Sequence, residues 1–180
     1  MALIRRTVID ILDRGLQKII VNDKTIFEEV QKLLVNTKNI KVELKEENLF
    51  NMYSLENQVK KMENRKLWLK CGGFITIDRT EALTAIDVNT GKYTGKKDLE
   101  ETIYKVNQEA TIEIAKQLRL RDIGGIIIID YIDMEKQETK QKILSILEEC
   151  VKKDRSKIQI VGFTPLDLLE MTRKHMCSND

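Results

Sequence analysis

Proline occurs once, at Pro165, histidine once, at His175, and aromatic residues make up only 5% of the 180 residues. A single proline and the lack of any Ser/Gly tract leave no sign of a flexible interdomain linker. One histidine disfavours a transition-metal site and gives little support to a Ser-His or Cys-His nucleophilic pair. The three cysteines, Cys71, Cys150 and Cys177, lie 79 and 27 residues apart. They form no CxxC pair for zinc and no complete disulfide set, and they read as reduced thiols. The longest apolar run, Ile123 to Ile129, contains two glycines, and it falls short of the roughly 20 residues that span a bilayer. The opening MALIRRTVIDILDRG breaks its apolar stretch with Arg5, Arg6, Asp10 and Asp13. It therefore does not read as a secretion signal, and a cytoplasmic address is the expectation. Charge of one sign is also lacking: 31 basic side chains stand against 29 acidic ones, a net +2, so bulk charge points to no partner.

What remains is 42% hydrophobic and 33% charged, the profile of a soluble globular protein. Residues 1 to 63 alternate helical and strand patterns. A helix ends near Gly15, followed by a strand at Gln17 to Val21, a helix from Asp23 to Asn36, a strand at Ile40 to Leu44 and a charged helix from Ser54. From Lys66 the pattern tightens into an antiparallel meander at Lys66 to Lys70, Phe74 to Asp78 and Ala82 to Asn89. Asp98 with Glu101 fits a capping arrangement for a long helix carrying Leu99, Ile103, Val106, Ala110, Ile114 and Leu118, which should stop at Gly124-Gly125. The four isoleucines of GGIIIID predict a strand covered on both faces. An amphipathic helix through Ile143, Ile146, Leu147 and Val151 and a strand at Lys157 to Val161 follow. Thr164 as N-cap with Pro165 at the first position then predicts a last helix. The expected architecture is α/β, a mixed sheet with packed helices, in two parts, 1 to 63 and 64 to 180.

Asp87 and Asn89, two apart in the strand AIDVN, project from one face while Ile86 and Val88 go inward. Asp130 ends the isoleucine strand. Two carboxylates and an amide oxygen are hard donors suited to Mg²⁺. The plainer reading makes each a turn former or cap. Asp133 reads as the cap of the following helix. In NTGKYTGKKD, Lys92, Lys96 and Lys97 fit either phosphate contact or a solvated hairpin, and the spacing fails the Walker order. Arg119 and Arg121 complement the negative end of the long helix or grip a phosphate. Arg155 and Lys157 pose the same choice. Trp68 reads as core or as a stacking surface for bases.

The segments GGFITIDRTEALTAIDVNTGKYTG and DLEETIYKVNQEATIEIAKQLRLRDIGGIIIIDYIDM, with LLEMTRK near the end, resemble the catalytic region of the ribonuclease E/G family over about residues 64 to 174. The resemblance implies a DNase I-like subdomain at 64 to 180, preceded at 1 to 63 by the later part of an RNase H-like subdomain without catalytic function. It implies that Asp87 and Asp130 hold a catalytic Mg²⁺, with Asn89 assisting. It also implies endonucleolytic cleavage of single-stranded, A/U-rich RNA that leaves a 5′-phosphate downstream and favours RNAs with a 5′-monophosphate. Lys92, Lys96, Lys97, Arg119, Arg121 and Lys157 would contact RNA, Lys157 aligning with a position near the 5′-phosphate pocket. The S1-type domain, the separate 5′-end sensor and the CxxC zinc link of that family are absent from this sequence, and Cys177 near the link's usual place has no partner. The expectation is a core fragment or shortened member. Its alternative is a noncatalytic RNA-binding or assembly module, and an unpaired sheet edge in the first 63 residues would favour a homodimer.

Overall fold

The computed structural model describes residues 2–12, 16–35, 37, 39–91, 99–152 and 154–176. They fall into two compact units, Met1–Lys61 and Met62–Asp180.

In the first unit α1 (Ala2–Ile11) precedes a βαβ turn of chain: β1 (Lys18–Val21), α2 (Lys24–Leu33) and β2 (Lys41–Leu44). The strands pair in parallel, Ile19 opposite Val42, because a helix-length crossover separates them. Asp23 caps α2, accepting from the Ile26 N–H at 2.9 Å, so the stretch begins where the Asx signal places it. Val8, Val30 and Leu34 form a small core with Ile4, Leu12, Ile19, Ile26, Ile40 and Val42 around it. Two short helices, α3 (Leu49–Met52) and α4 (Leu55–Met62), close the unit.

Among the described residues the second unit is a six-stranded mixed sheet with two helices. Its elements are β3 (Lys66–Trp68), β4 (Phe74–Arg79), β5 (Leu83–Asn89), α5 (Leu99–Leu120), β6 (Gly125–Asp130), α6 (Gln137–Val151), β7 (Ile158–Phe163) and β8 (Leu168–Arg173). The strand order is β3-β4-β5-β6-β8-β7. Only β5 and β6 run parallel, joined by α5; all other pairs are antiparallel. Ile75, Ile77, Ile86, Val88, Ile127, Ile129, Leu169 and Met171 point to one face, where Val106, Ala110, Ile114 and Leu118 of α5 and Ile143 and Leu147 of α6 seal them. The period-2 alternation of the strands meets the 3.6-residue stripe of the helices there.

Three expectations change. The isoleucine strand is covered on one face only: Ile127 and Ile129 are fully buried, while Ile126 is 50% exposed. A run of identical apolar residues reports burial on both sides only when helices lie on both sides, and both helices of this unit pack on the same one. The long helix stops at Leu120, before the glycines. Asp122 takes a positive φ of 44°, and the Ile123 N–H reaches back to the Leu118 carbonyl at 2.9 Å, the Schellman closure that usually employs glycine.

The last helix does not form. Residues Leu168–Arg173 are β8, antiparallel to both β6 and β7. Thr164 and Pro165 begin a hairpin turn instead: the Thr164 hydroxyl accepts from the Leu166 and Leu168 N–H groups at 3.2 Å each, and Asp167 occupies the left-handed region at φ 61°. Threonine followed by proline is a turn start as well as a helix start, and sheet pairing decides between them.

Candidate active site

Asp87 near the end of β5 and Asp130 at the end of β6 are direct partners in the parallel register. Adjacent strands lie ~4.8 Å apart, so the two carboxylates stand side by side on the face away from the helices. Thr76 of β4 flanks Asp87, and Leu168 of β8 flanks Asp130. Both acids are exposed. They sit at the carboxyl ends of adjacent parallel strands, where open α/β sheets place ligands. Asn89, on the same face, donates its amide N–H to Asp87 Oδ2 at 2.6 Å. The expected pair of oxygens is thus an acid held by an amide donor, because an ionised carboxylate only accepts.

Partial desolvation at the strand end raises the Asp130 carboxyl above its ordinary value although the residue is exposed, and the negative charges of Asp87 and Asp133 raise it further. Like charges this close are an electrostatic demand for a cation. Among the described residues no group of three His, Cys, Asp or Glu side chains closes into a metal cage. Two carboxylates with open positions around them nevertheless fit Mg²⁺, which keeps several waters and leaves room for phosphate oxygens.

Asp133 is not the helix cap expected of it. Lys136 takes the N-cap position of α6, without a side-chain cap bond, and Asp133 stands exposed in the loop after β6, near enough to act on Asp130. Asn107 of α5 anchors that loop. Fully buried, it donates from Nδ2 to the Ile132 carbonyl at 2.8 Å and accepts the Ile132 N–H on Oδ1 at 3.1 Å. Thr111, one turn on, donates to the Asn107 carbonyl at 2.7 Å and lies 2.9 Å from the Tyr131 hydroxyl. Burial pushes the Tyr131 phenol well above its ordinary value. The signal for Asn107 and Thr111 was there to read: two polar residues four apart on the apolar stripe of a long helix need buried partners.

Of the expected basic residues, the described ones, Arg119, Arg121 and Lys157, do not converge on the acids. Arg119 and Arg121 lie at the far end of α5, and Lys157 lines an open cleft with Gly125, Ile126, Gln159, Thr172 and Lys174. Gly125 and Asp130 are the two ends of β6, about 17 Å apart at ~3.3 Å per residue. Arg121 is engaged locally, donating to Gln117 Oε1 at 2.8 Å and to the Asn64 carbonyl at 2.9 Å. Lys92, Lys96 and Lys97 lie outside the described residues. Trp68, for which core was one reading, is 61% exposed on the same face as the acids.

A mixed sheet that presents an acid pair and its amide at the carboxyl ends of two parallel strands belongs here to a defined class. The Ribonuclease E/G family matches residues 1–176, and the chain is a member of that family. Within it, the chain is 41% identical over 179 residues to ribonuclease G of Salmonella typhimurium, covering 97% of this chain and 37% of that protein. Ribonuclease G of Escherichia coli strain K12 is 39% identical over the same length, with the same coverage. Ribonuclease E of Haemophilus influenzae is 38% identical over 176 residues, covering 95% of this chain and 19% of that protein. The chain spans little more than a third of the length of the ribonuclease G relatives.

Proposed function

We propose that this chain carries the cleavage centre of an Mg²⁺-dependent endoribonuclease that cuts single-stranded, A/U-rich RNA and leaves a 5′-phosphate on the downstream product. The observation that carries this reading is the direct cross-strand pairing of Asp87 with Asp130 on an open sheet face, in a chain of the Ribonuclease E/G family. Asp87 and Asp130 are the residues that would hold Mg²⁺, which when bound supplies positive charge against a phosphodiester and acidifies water. Asn89 fixes the Asp87 carboxylate through its amide N–H. Asn107 fixes the backbone immediately after Asp130, so both acids are held before substrate arrives. Asp133 adds negative charge that makes the site demand a cation. Lys92, Lys96 and Lys97 are proposed to steer the RNA backbone, while Arg119, Arg121 and Lys157 would meet it at the other end of the sheet, away from the cut.

The first unit is proposed to be the later part of an RNase H-like subdomain and the second a DNase I-like subdomain. Among the described residues no helix is long and apolar enough to cross a membrane; the setting proposed is cytoplasmic. Among the described residues the sheet of the first unit has two strands, and pairing of one of its edges with a second copy would give the proposed homodimer. The test of function is cleavage: Asp87→Asn and Asp130→Asn should each abolish it while leaving the circular dichroism spectrum unchanged. The alternative, a noncatalytic RNA-binding or assembly module, is separated by the same assay. Metal-independent RNA binding without internal cuts would select that reading.

A further inference from the structure

The row of residues beside the acid pair carries an unusual surface. In β3 and β4, Trp68 is the cross-strand partner of Phe74, and Phe74 is the partner of Asn89. Trp68, Phe74 and Asn89 thus form one line across the open face, one step along the strands from Thr76, Asp87 and Asp130. The Trp68 and Phe74 ring centroids lie 5.2 Å apart at an interplanar angle of 60°. The Lys66 ammonium sits over both, 4.3 Å from the Trp68 centroid and 3.5 Å from that of Phe74. Asp78, the acid of β4 on this face, pairs with Arg65. Even with Phe74 and Lys66 against it, the indole remains 61% exposed.

The platform is rigid from below. A Cβ on Gly73 would come within 2.8 Å of the Asn89 carbonyl, and a Cβ on Gly91 would meet the Gly72 carbonyl at 2.4 Å and the Trp68 ring edge at 3.3 Å. Glu109 of α5 clamps the same turn, accepting the Lys70 and Cys71 N–H groups at 2.5 and 3.0 Å. A large aromatic side chain, exposed on a strand and braced by a glycine corner, is poorly explained as packing. An exposed ring on a sheet with a cation beside it is the chemistry that stacks an unpaired base and meets its phosphate.

We infer that Trp68 and Phe74, with Lys66, form a stacking subsite for one unpaired base of the single strand whose backbone crosses Asp87 and Asp130. Two strand spacings across and two residues along put the Trp68 and Asp87 backbones about 12 Å apart, a gap that a short stretch of single strand bridges. The subsite takes the base by its π-face and so accepts any of the four, whereas paired bases in a duplex are withheld from it. The inference rests on the ribonuclease reading for the identity of the strand, but it requires neither metal nor bond cleavage.

Trp68 is the only tryptophan in the chain, so its fluorescence reports on the subsite directly. The chain is titrated in EDTA with a 2′-O-methyl A/U oligonucleotide of about ten residues, with an abasic sugar-phosphate oligomer of equal length, and with a duplex of the same sequence. Anisotropy of an end label records binding in parallel. The single strand should quench the fluorescence saturably, and the abasic oligomer and the duplex should not. Trp68→Ala should weaken single-strand binding about tenfold and Trp68→Phe only slightly, with the circular dichroism spectra of both variants unchanged. Equal quenching by the abasic oligomer overturns stacking. Single-strand binding that leaves Trp68 fluorescence and the Trp68→Ala affinity unchanged overturns the subsite and spares the ribonuclease reading. Failure of any single strand to bind overturns both.

Discussion

Replacing Asp130 by asparagine should stabilise the metal-free protein while destroying its activity. At the roughly 5 Å spacing of paired strands, two carboxylate charges repel by about 0.8 kcal/mol in water and about 3 kcal/mol at an effective permittivity of 20. Asp87 and Asp130 are exposed, and solvent screening puts the relief near the lower figure, about 1 kcal/mol. In a domain of this size that raises the melting temperature by about 2–4 °C. The pH dependence has a definite sign. The Asp130 carboxyl is raised above its ordinary value by partial desolvation and by Asp87 and Asp133, so folding disfavours its ionised form. The wild-type penalty is fully present above the raised pKa and fades as pH falls toward the unfolded value, so the advantage of Asp130→Asn should vanish below about pH 4. Thermal unfolding at low salt in EDTA, repeated with Mg²⁺, measures both effects. Mg²⁺ should stabilise the wild type by mass action and the variant much less. A variant no more stable than wild type at pH 7 in EDTA, or an equal response of both proteins to Mg²⁺, refutes the reasoning.

Three further outcomes follow from the same geometry. Arg173, buried, donates to Asp154 Oδ2 at 2.9 Å, to Asp122 Oδ1 at 2.8 Å and to the Ile123 carbonyl at 2.9 Å, so Arg173→Met should cost about 3–5 kcal/mol in urea unfolding. Burial would raise the Asp154 carboxyl, but the Arg173 hydrogen bonds and charge hold it below its ordinary value. The stability it contributes is lost as pH falls through that lowered pKa, and Arg173→Met should flatten the acid limb of the stability–pH profile. Asn107→Leu strips the partners from both backbone groups of Ile132 and should cost about 2–4 kcal/mol. Mg²⁺ binding, followed by titration calorimetry, should weaken with it, because the chain after Asp130 loses its anchor. Gly73→Ala places a Cβ 2.7 Å from Val106 Cγ1 and 2.8 Å from the Asn89 carbonyl; the overpacking should cost about 1–3 kcal/mol in urea midpoint and slow cleavage through the displaced Asn89.

Much of the fold was legible because its elements carry clean periods. Ile75 and Ile77 alternate with Thr76 and Asp78, and Val106, Ala110, Ile114 and Leu118 mark one helical stripe. The acids were legible as strand ends, and the resemblance selected them. Their adjacency was not, since it needs β5 and β6 to be parallel neighbours and periodicity carries no sheet order. The same gap explains Trp68 and Ile126: alternation says which residues share a face, but not which face the helices cover. Thr164-Pro165 misled because a helix start and a hairpin turn employ the same residues for the same hydrogen-bonding reasons. Asp133 misled likewise, an Asx residue before a helix that begins four positions later. Asn107 stood unread because a polar residue within an apolar stripe announces a buried partner without naming it.

Internal cleavage of 5′-monophosphorylated, single-stranded A/U-rich RNA by the wild type, Asp87→Asn and Asp130→Asn, each in Mg²⁺ and in EDTA, bears most directly on the cross-strand acid pair. Cuts with 5′-phosphate downstream ends by the wild type in Mg²⁺ alone, absent from both variants, are the expected result. Near wild-type cleavage by either variant in Mg²⁺, or undiminished cleavage by the wild type in EDTA, contradicts it.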